Sequence, residues 1–192
     1  GLCHVHQHPV HVEDDRVDTV LFTGSAEVGH QIADKIGGQP GREVSLEMGG
    51  KNAVVITEEA DLDVAVHSAV MSSFKTTGQR CVSAERLIVH EDVYDEFKRR
   101  FVDVAQRVAV GDPLNDETFM GPLIESAHLE KVQRYNQIAR DEDVNVLVDR
   151  EGLDDDEIPA GHADGEWIGP FVYEADPYAD LRCTSEEVFG PH

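Results

Sequence analysis

Short runs of β-branched and aromatic residues alternate along this chain with longer segments in which apolar residues recur every three or four positions. The short runs are typical of buried strands, and the longer spacing is typical of helices with one apolar face. The predicted strands are residues 17–22, 43–48, 53–56, 86–89, 144–148 and 167–173, and the predicted helices follow Ser25, follow Asp61, and cover 93–108 and 127–140. Because strands that alternate with helices pack as a sheet with helices on its faces, the sequence predicts an open α/β sheet.

The first strand meets its helix at Thr23-Gly24-Ser25. Ser25 is of the residue type that caps helix N-termini, and Gly37-Gly38 supplies a stop at the other end. A glycine turn of this kind points backbone N–H groups and the positive end of the helix at an anion such as a pyrophosphate. The spacing Gly24-x-x-x-x-Gly29 is neither a dinucleotide fingerprint nor a P-loop, so cofactor binding and a plain β-α connection both stay open.

The residues most suggestive of catalysis are Cys81 and Glu47. Cys81 follows a bend at Gly78-Gln79 and precedes an apolar run. A free thiol has a pKa of about 8.5, so it needs a base, a helix end or a nearby charge to become an effective nucleophile. Glu47 ends a strand beside Gly49-Gly50, where a cleft would raise the pKa of its carboxyl group toward that of a useful base. An ordinary surface carboxylate is the alternative for Glu47.

The 192 residues include 39 acidic and 16 basic side chains, which give a formal net charge of −23. Nucleic acids and anionic membrane surfaces would repel such a protein, so neither is expected as a partner. A salt-rich cytoplasm would screen the self-repulsion, since the Debye length is roughly 3 Å at 1 M salt, and we therefore expect a halophilic source. No apolar run reaches the ~18 residues of a membrane span, and no signal sequence opens the chain.

The three cysteines, at positions 3, 81 and 183, form no C-x-x-C pair, so we expect free thiols in a reducing cytoplasm. An alternative interpretation is an acidic metal-binding protein built on a His-rich start and an acidic loop. The candidate ligands are His4, His6, His8, His11, Asp154, Asp155 and Asp156. Alternating histidines on an extended segment would share one face, but the acidic loop lacks the spacing of an EF-hand, so no metal site is predicted.

Four motifs resemble, in their order and separation, those of the NAD(P)-dependent aldehyde dehydrogenase superfamily. They are Phe22-Thr23-Gly24-Ser25, Leu46-Glu47-Met48-Gly49-Gly50-Lys51, Gly78-Gln79-Arg80-Cys81 and Glu187-Val188-Phe189-Gly190-Pro191. The resemblance implies an aldehyde dehydrogenase-like open α/β sheet with a truncated Rossmann-like remnant. Residues 1–16 would be an unmatched His-rich segment, residues 17–48 the C-terminal part of the NAD(P)-binding domain, and residues 49–192 an incomplete catalytic domain.

The resemblance also implies roles for individual residues. Cys81 resembles the nucleophile that attacks an aldehyde to form a thiohemiacetal, from which hydride passes to the nicotinamide. Glu47 resembles the base that activates water to hydrolyse the resulting thioester. The residues that resemble cofactor contacts are Gly24, Ser25, Glu27, Val28, Gly49, Glu187 and Phe189. The implied cofactor is NAD or NADP, and the implied substrate is a small-molecule aldehyde or a semialdehyde. Arg80 would suit the carboxylate of a semialdehyde, and a structural role for Arg80 is the equal alternative.

The chain departs from the family pattern at both ends. The stretch before Phe-Thr-Gly-Ser would hold the asparagine of the oxyanion hole and the lysine that binds the adenosine ribose, and the stretch after Phe-Gly-Pro would close the catalytic domain. Full-length members are homo-oligomers, and the oligomerisation segments are missing as well. The first residue is not methionine, so we expect a fragment with little or no dehydrogenase activity alone. A non-catalytic truncated remnant is the alternative function, and the choice of aldehyde and of NAD or NADP stays open.

Overall fold

The computed structural model describes residues 12–154 and 157–192. The chain divides into two compact units, Gly1–Gly49 and Gly50–His192. The elements in chain order are β1 (Thr19–Gly24), α1 (Ala26–Ile36), β2 (Glu43–Met48), β3 (Asn52–Ile56), α2 (Leu62–Phe74), a 3-10 segment (Lys75–Gly78), β4 (Ala84–Val89), α3 (Glu91–Ala105), α4 (Ser126–Asp141), β5 (Asn145–Asp149), β6 (Phe171–Glu174) and α5 (Arg182–Ser185). The predicted alternation of strands and helices is confirmed. None of the described helices is both long enough and apolar enough to cross a bilayer.

The first unit is a β-α-β arrangement. β1 and β2 are parallel and pair over the whole of Thr19–Gly24 and Glu43–Met48. Ile32 and Ile36 of α1 are buried, and they pack with Val12 against the apolar side chains on one face of this strand pair. The strand, turn and helix predicted around the first glycine motif therefore form as one small packed unit.

The core of the second unit lies between β3, β4 and two helices. β3 and β4 are parallel, with Asn52–Ile56 opposite Ala84–Val89. α2 and α3 contribute most of the buried side chains, among which Phe74, Phe97 and Phe101 are stacked with ring centroids 5.9 and 5.8 Å apart. Aromatic side chains bury a large apolar area each, so this cluster fixes how the two helices sit against the strands.

β5 and β6 form an antiparallel pair that packs with α4. His192 is buried in this region, with Nδ1 2.8 Å from Oδ1 of Asn136 and Nε2 3.1 Å from the hydroxyl oxygen of Tyr173. Burial, reinforced by the positive charge of Lys51, lowers the pKa of His192 to about 3. The imidazole is therefore neutral at pH 7 and has neutral partners on both ring nitrogens.

Most element boundaries lie within two residues of the sequence prediction, and two differ by more. The last strand begins at Phe171 instead of residue 167, because Pro170 has no N–H to contribute to a strand ladder. α3 ends at Ala105 instead of continuing to Val108. Val104, which the apolar spacing placed on the inner face, is 37% exposed, and Val108 is buried in the segment that follows the helix.

Candidate active site

Cys81 is exposed between the 3-10 segment and β4, and we call residues 75–83, which include the 3-10 segment, the Cys81 loop. Thr76 and Thr77 in this loop have left-handed backbone conformations, with φ of 55° and 56°. Gly78 follows with φ of 67°, and a Cβ atom there would lie 2.3 Å from the carbonyl oxygen of Gly190. Left-handed conformations cost non-glycine residues about 1–2 kcal/mol each, so the surrounding contacts must hold this bend in place.

Two side chains anchor the Cys81 loop to the segment between α3 and α4. Thr77 Oγ1 donates a hydrogen bond to the carbonyl oxygen of Gly121 at 3.0 Å. Gln79 Oε1 accepts a hydrogen bond from the backbone N–H of Ile124 at 3.1 Å. Thr77 is buried, so an unpaired hydroxyl there would be costly, and its bond to the neighbouring segment stabilises the bend.

Arg80, which directly precedes the thiol, points away from it into the protein. Its Nη2 donates hydrogen bonds to the carbonyl oxygens of Met71 and Ser72 at 2.9 and 3.1 Å. These carbonyls belong to the last turn of α2, where free C=O groups and the negative end of the helix favour a cation. Of the two roles that the sequence left open for Arg80, the structural one is therefore favoured over recognition of a substrate carboxylate.

Asn52 fixes the backbone at Cys81 and directly after it. Its Nδ2 donates to the carbonyl oxygen of Cys81 at 2.7 Å and to that of Ser83 at 3.1 Å. The backbone N–H of Cys81 has no acceptor within the part of the chain that the structure describes. A thiol with a free N–H on the same residue can attack a carbonyl group and donate a hydrogen bond to the oxyanion that forms.

Glu187 lies in the loop after α5, and its Oε1 accepts a hydrogen bond from the backbone N–H of Gly50 at 3.0 Å. The two following residues donate their backbone N–H groups to one carboxylate: Val188 to Oε2 and Phe189 to Oε1 of Glu85, each at 3.1 Å. Phe189 has a φ of 63°, a conformation that is rare for a bulky side chain. The loop around Glu187 is therefore held by hydrogen bonds at three successive residues.

Sequence reasoning named neither Asn52 nor Glu85, although both organise the site. Glu85 forms an ion pair with Lys51, with Nζ and Oε2 2.8 Å apart and side chains only 6% and 4% exposed for the lysine and the glutamate. The signal for Glu85 was a lone carboxylate within the apolar run Ala84–Val89, because a buried charge requires a partner. For Asn52 no signal in the sequence was apparent.

The remaining predicted site residues belong to the first unit, near the carboxyl ends of β1 and β2. They are Gly24, Ser25, Glu27, Val28, Glu47 and Gly49. Ser25 caps α1, since its Oγ accepts a hydrogen bond from the backbone N–H of Val28 at 3.4 Å. Glu47 is exposed on β2, opposite Thr23 of β1. Parallel strands that end together beside a helix start form an edge that is open to a ligand.

The other cysteine in the described residues is unsuited to nucleophilic chemistry. Cys183 is fully buried, and burial raises the pKa of its thiol to about 11. Cys3 and the histidines at positions 4, 6, 8 and 11 lie outside the described residues, as do Asp155 and Asp156. Within residues 12–154 and 157–192, no three His, Cys, Asp or Glu side chains come close enough together to hold a metal ion.

Residues 9–191 match the aldehyde dehydrogenase family, and the chain belongs to that family. It is 39% identical over 185 residues to 1-pyrroline-5-carboxylate dehydrogenase from Geobacillus thermodenitrificans, covering 94% of this chain and 34% of that protein. It is 34% identical over 180 residues to D-glyceraldehyde dehydrogenase (NADP⁺) from Picrophilus torridus, covering 94% of this chain and 35% of that protein. The chain thus spans about a third of the length of the curated relatives it matches.

The fold leads to the same family. A crystal structure of betaine aldehyde dehydrogenase from Staphylococcus aureus, solved in complex with NAD⁺, is similar to this chain with a TM-score of 0.83 and 31% sequence identity. The similarity covers 94% of this chain and 34% of that one. The family and the aldehyde dehydrogenase-like α/β fold predicted from the four motifs are therefore confirmed.

Proposed function

We propose that this chain carries the thiol-bearing part of an enzyme that oxidises an aldehyde or a semialdehyde to a carboxylic acid with NAD or NADP. The observation that carries the proposal is the exposed thiol of Cys81 on a loop that side-chain hydrogen bonds hold in place, together with a Cys81 N–H that has no acceptor among the described residues. The names of the pyrroline-5-carboxylate and glyceraldehyde dehydrogenases support the substrate class. Residues 17–48 would belong to the cofactor-binding domain and residues 49–192 to the catalytic domain, a boundary close to that between the two compact units.

In the first half of the proposed reaction, the Cys81 thiolate attacks the carbonyl carbon of the aldehyde. A carbon–sulfur bond forms, the carbonyl π electrons move to oxygen, and the Cys81 N–H donates a hydrogen bond to the resulting oxyanion. Losing one such donor typically slows catalysis by about 10²- to 10³-fold. As the oxyanion collapses, hydride leaves the carbon and a thioester remains on Cys81. NAD or NADP, when bound, supplies the acceptor for that hydride.

The residues that would hold the cofactor are those at the start of α1 together with Glu187. The turn at Gly24 and Ser25 is exposed and leads into an 11-residue helix, whose first N–H groups and positive end suit a pyrophosphate. Glu187 would bind a ribose hydroxyl through its carboxylate, and Phe189 would pack beside the nicotinamide. Glu27, Val28 and Gly49 would line the remainder of the cofactor site.

In the second half of the proposed reaction, Glu47 acts as the general base. Its exposed carboxylate takes a proton from water, the hydroxide attacks the thioester carbon, and the carbon–sulfur bond breaks. The products are the carboxylic acid and the regenerated Cys81 thiolate. Atoms and charge balance without any group beyond water, the aldehyde and the nicotinamide cofactor.

The thioester half of this chemistry can be tested without cofactor. An activated ester such as p-nitrophenyl acetate acylates a reactive thiol and releases p-nitrophenolate, which is followed by its absorbance. We expect Cys81 to be acetylated at least about tenfold faster than Cys183, as measured by peptide mass spectrometry, because Cys183 is buried and has a raised pKa. The assay is run in high salt, which suits a chain of net charge −23. If Cys81→Ser releases nitrophenolate as fast as the unaltered chain, Cys81 is not the nucleophile.

Glu47 is tested by the fate of the acetyl group. With Cys81 acetylated, Glu47→Gln should slow hydrolysis of the thioester by about 10²-fold, since general base catalysis contributes 10²- to 10⁴-fold. Glu43→Gln, an exposed glutamate on the same strand, is the matched control and should leave hydrolysis unchanged. Equal acylation of Cys81 and Cys183 would instead favour a non-catalytic remnant of the family.

A further inference from the structure

We propose that Gly50-Lys51-Asn52 is a positioning bracket that fixes the Glu187 loop (residues 187–189) against the Cys81 loop, with the buried ion pair between Lys51 and Glu85 at its centre. Each of the three residues reaches one part of the site. The catalytic meaning of the bracket rests on the proposed function, in which one loop carries the nucleophile and the other a cofactor carboxylate. The contacts that form the bracket are present in the chain without any ligand.

The first and the last residue of the bracket each contact a different loop. The backbone N–H of Gly50 donates to the carboxylate of Glu187. The side chain of Asn52 donates to the carbonyl oxygens of Cys81 and Ser83. Because only Lys51 separates these two anchors in the chain, the two loops are tied to adjacent points of one short segment.

Lys51 and Glu85 connect the same loops a second time. Glu85 lies four residues after Cys81, at the start of β4, and its carboxylate accepts hydrogen bonds from the N–H groups of Val188 and Phe189 in addition to the Lys51 ammonium. These donors satisfy both carboxylate oxygens. The carbonyl oxygen of Lys51 accepts two hydrogen bonds from the Arg86 guanidinium, at 3.0 and 2.6 Å, which holds the bracket segment from its other side.

The burial of the pair indicates that it positions the loops more than it stabilises the fold. Removing two charges from water costs several kcal/mol for each ion, so a well-packed apolar pair of similar size is often at least as stabilising. An apolar pair, however, would offer no acceptor to the N–H groups of Val188 and Phe189. Phe189 keeps its left-handed φ of 63° while its N–H is bonded to Glu85, so the carboxylate determines the course of the loop.

Hydrogen exchange of the backbone amides in the full 192-residue chain separates positioning from stability. In Glu85→Gln we expect the amides of Val188 and Phe189 to exchange at least about tenfold faster relative to the amide of Phe101, which reports the core helix α3. Glu174→Gln is the matched control, since Glu174 also accepts hydrogen bonds and pairs with a lysine, Lys98. This control should leave the amides of the Glu187 loop unchanged.

A double variant keeps the test informative if an unpaired buried charge prevents folding. Lys51→Met together with Glu85→Gln leaves no buried charge, so the core amide of Phe101 should exchange close to its original rate. The amides of Val188 and Phe189 should remain at least about tenfold faster than in the unaltered chain. Original protection of these two amides in the double variant, or acceleration equal to that of Phe101, would overturn the bracket.

Failure of the bracket and failure of the proposed function give different results. Hydrogen exchange uses neither cofactor nor substrate, whereas the proposed function is tested by acetylation of Cys81. Lys51→Arg keeps a cation next to Glu85 and leaves the acceptor of Val188 and Phe189 in place, so these two amides should keep most of the protection that the double variant loses. A chain with an intact bracket and an unreactive Cys81 would support the bracket and contradict the proposed function.

Discussion

The two compact units hold their candidate site residues in opposite ways. In Gly50–His192, the loops of Cys81 and Glu187 are tied down by buried side chains, among them Thr77 and Glu85. In Gly1–Gly49, the corresponding residues lie at the strand ends and the helix start, where Gly24, Ser25, Glu27 and Glu47 are exposed, and Ser25 caps the helix by accepting a hydrogen bond from the Val28 N–H. The difference follows from chemistry, because a nucleophile needs a fixed geometry whereas a pyrophosphate needs only the backbone N–H groups at a helix start.

The core of the second unit is also more fully buried than that of the first. The second unit buries three stacked phenylalanines between α2, α3 and its strands. The core of the first unit is made by Val12, Ile32 and Ile36 with half-buried neighbours, and Leu21 on β1 is 79% exposed. A unit of 49 residues is marginal as an independent fold, so the second unit is expected to account for most of the stability.

The largest effect should come from the phenylalanine cluster. Phe101→Ala leaves a cavity beside Phe74 and Phe97, and it should lower the free energy of unfolding of the second unit by about 3–5 kcal/mol. Urea unfolding followed by hydrogen exchange at α3 measures this, while the amides of β1 report the first unit and should change little. Val104→Ala, on the same helix but 37% exposed, should cost less than about 1 kcal/mol. Equal losses for the two variants would contradict the placement of the core.

The second effect concerns pH and the buried His192. The folded chain keeps its imidazole neutral down to a pKa of about 3, whereas the unfolded chain protonates it near the ordinary value of about 6.5. Unfolding therefore takes up a proton between these values, and stability present above pH 6.5 is lost as the pH falls. The expected slope is about 1.4 kcal/mol per pH unit between roughly pH 6 and pH 4.

The slope is measured from urea midpoints across that range. His192→Gln should flatten it whatever its effect on stability at pH 7, because the residue that titrates on unfolding is gone. His67→Gln removes an exposed histidine instead and should keep the slope. If both variants retain the same slope, another group is responsible for the pH dependence. Glu96 and Glu186 add to the slope only below about pH 5, since hydrogen bonds from arginines lower the pKa of each from 4.5 to about 2.

The elements of both units were predictable from sequence because their signals are local. Apolar spacing gave the helices and strands to within a few residues, and the capping types of Ser25 and Asp61 gave two helix starts. The order of the four motifs gave the family. Each of these signals depends on residues close together in the chain, for which periodicity and residue type are sufficient.

The contacts that hold the site were not predictable because they depend on register across distant segments. Asn52 contacts the Cys81 loop at the point where the pairing of β3 with β4 shifts register, between Asn52 and Ala53. The left-handed bend at Thr76 and Thr77 runs against the preference of β-branched residues, so local propensity argues against it. Where local preference is overruled in this way, a functional or strained site is expected, and here the bend leads directly to Cys81.

The third effect tests how far one side chain fixes the thiol. Asn52→Ala removes the donors to the carbonyl oxygens of Cys81 and Ser83, and it should lower the free energy of unfolding by about 1–2 kcal/mol. Because the loop loses its fixed path, acetylation of Cys81 should also change in rate. Asn145→Ala, which removes one exposed hydrogen bond to Glu174, should affect neither the loop nor the thiol. An unchanged acetylation rate in Asn52→Ala would mean that other contacts are sufficient to position Cys81.

The smallest effect compares the helix starts of the two units directly. Asp61 caps α2 through two hydrogen bonds, from the N–H groups of Asp63 and Val64 at 3.0 and 3.3 Å, whereas Ser25 caps α1 through one at 3.4 Å. We expect Asp61→Ala to cost about 1 kcal/mol and Ser25→Ala about 0.5 kcal/mol, measured from the exchange of amides in each helix. A larger loss for Ser25→Ala would mean that the first unit depends on its exposed turn for stability as well as for ligand contact. In that case the open edge would be a structural element of the unit and not only a candidate cofactor surface.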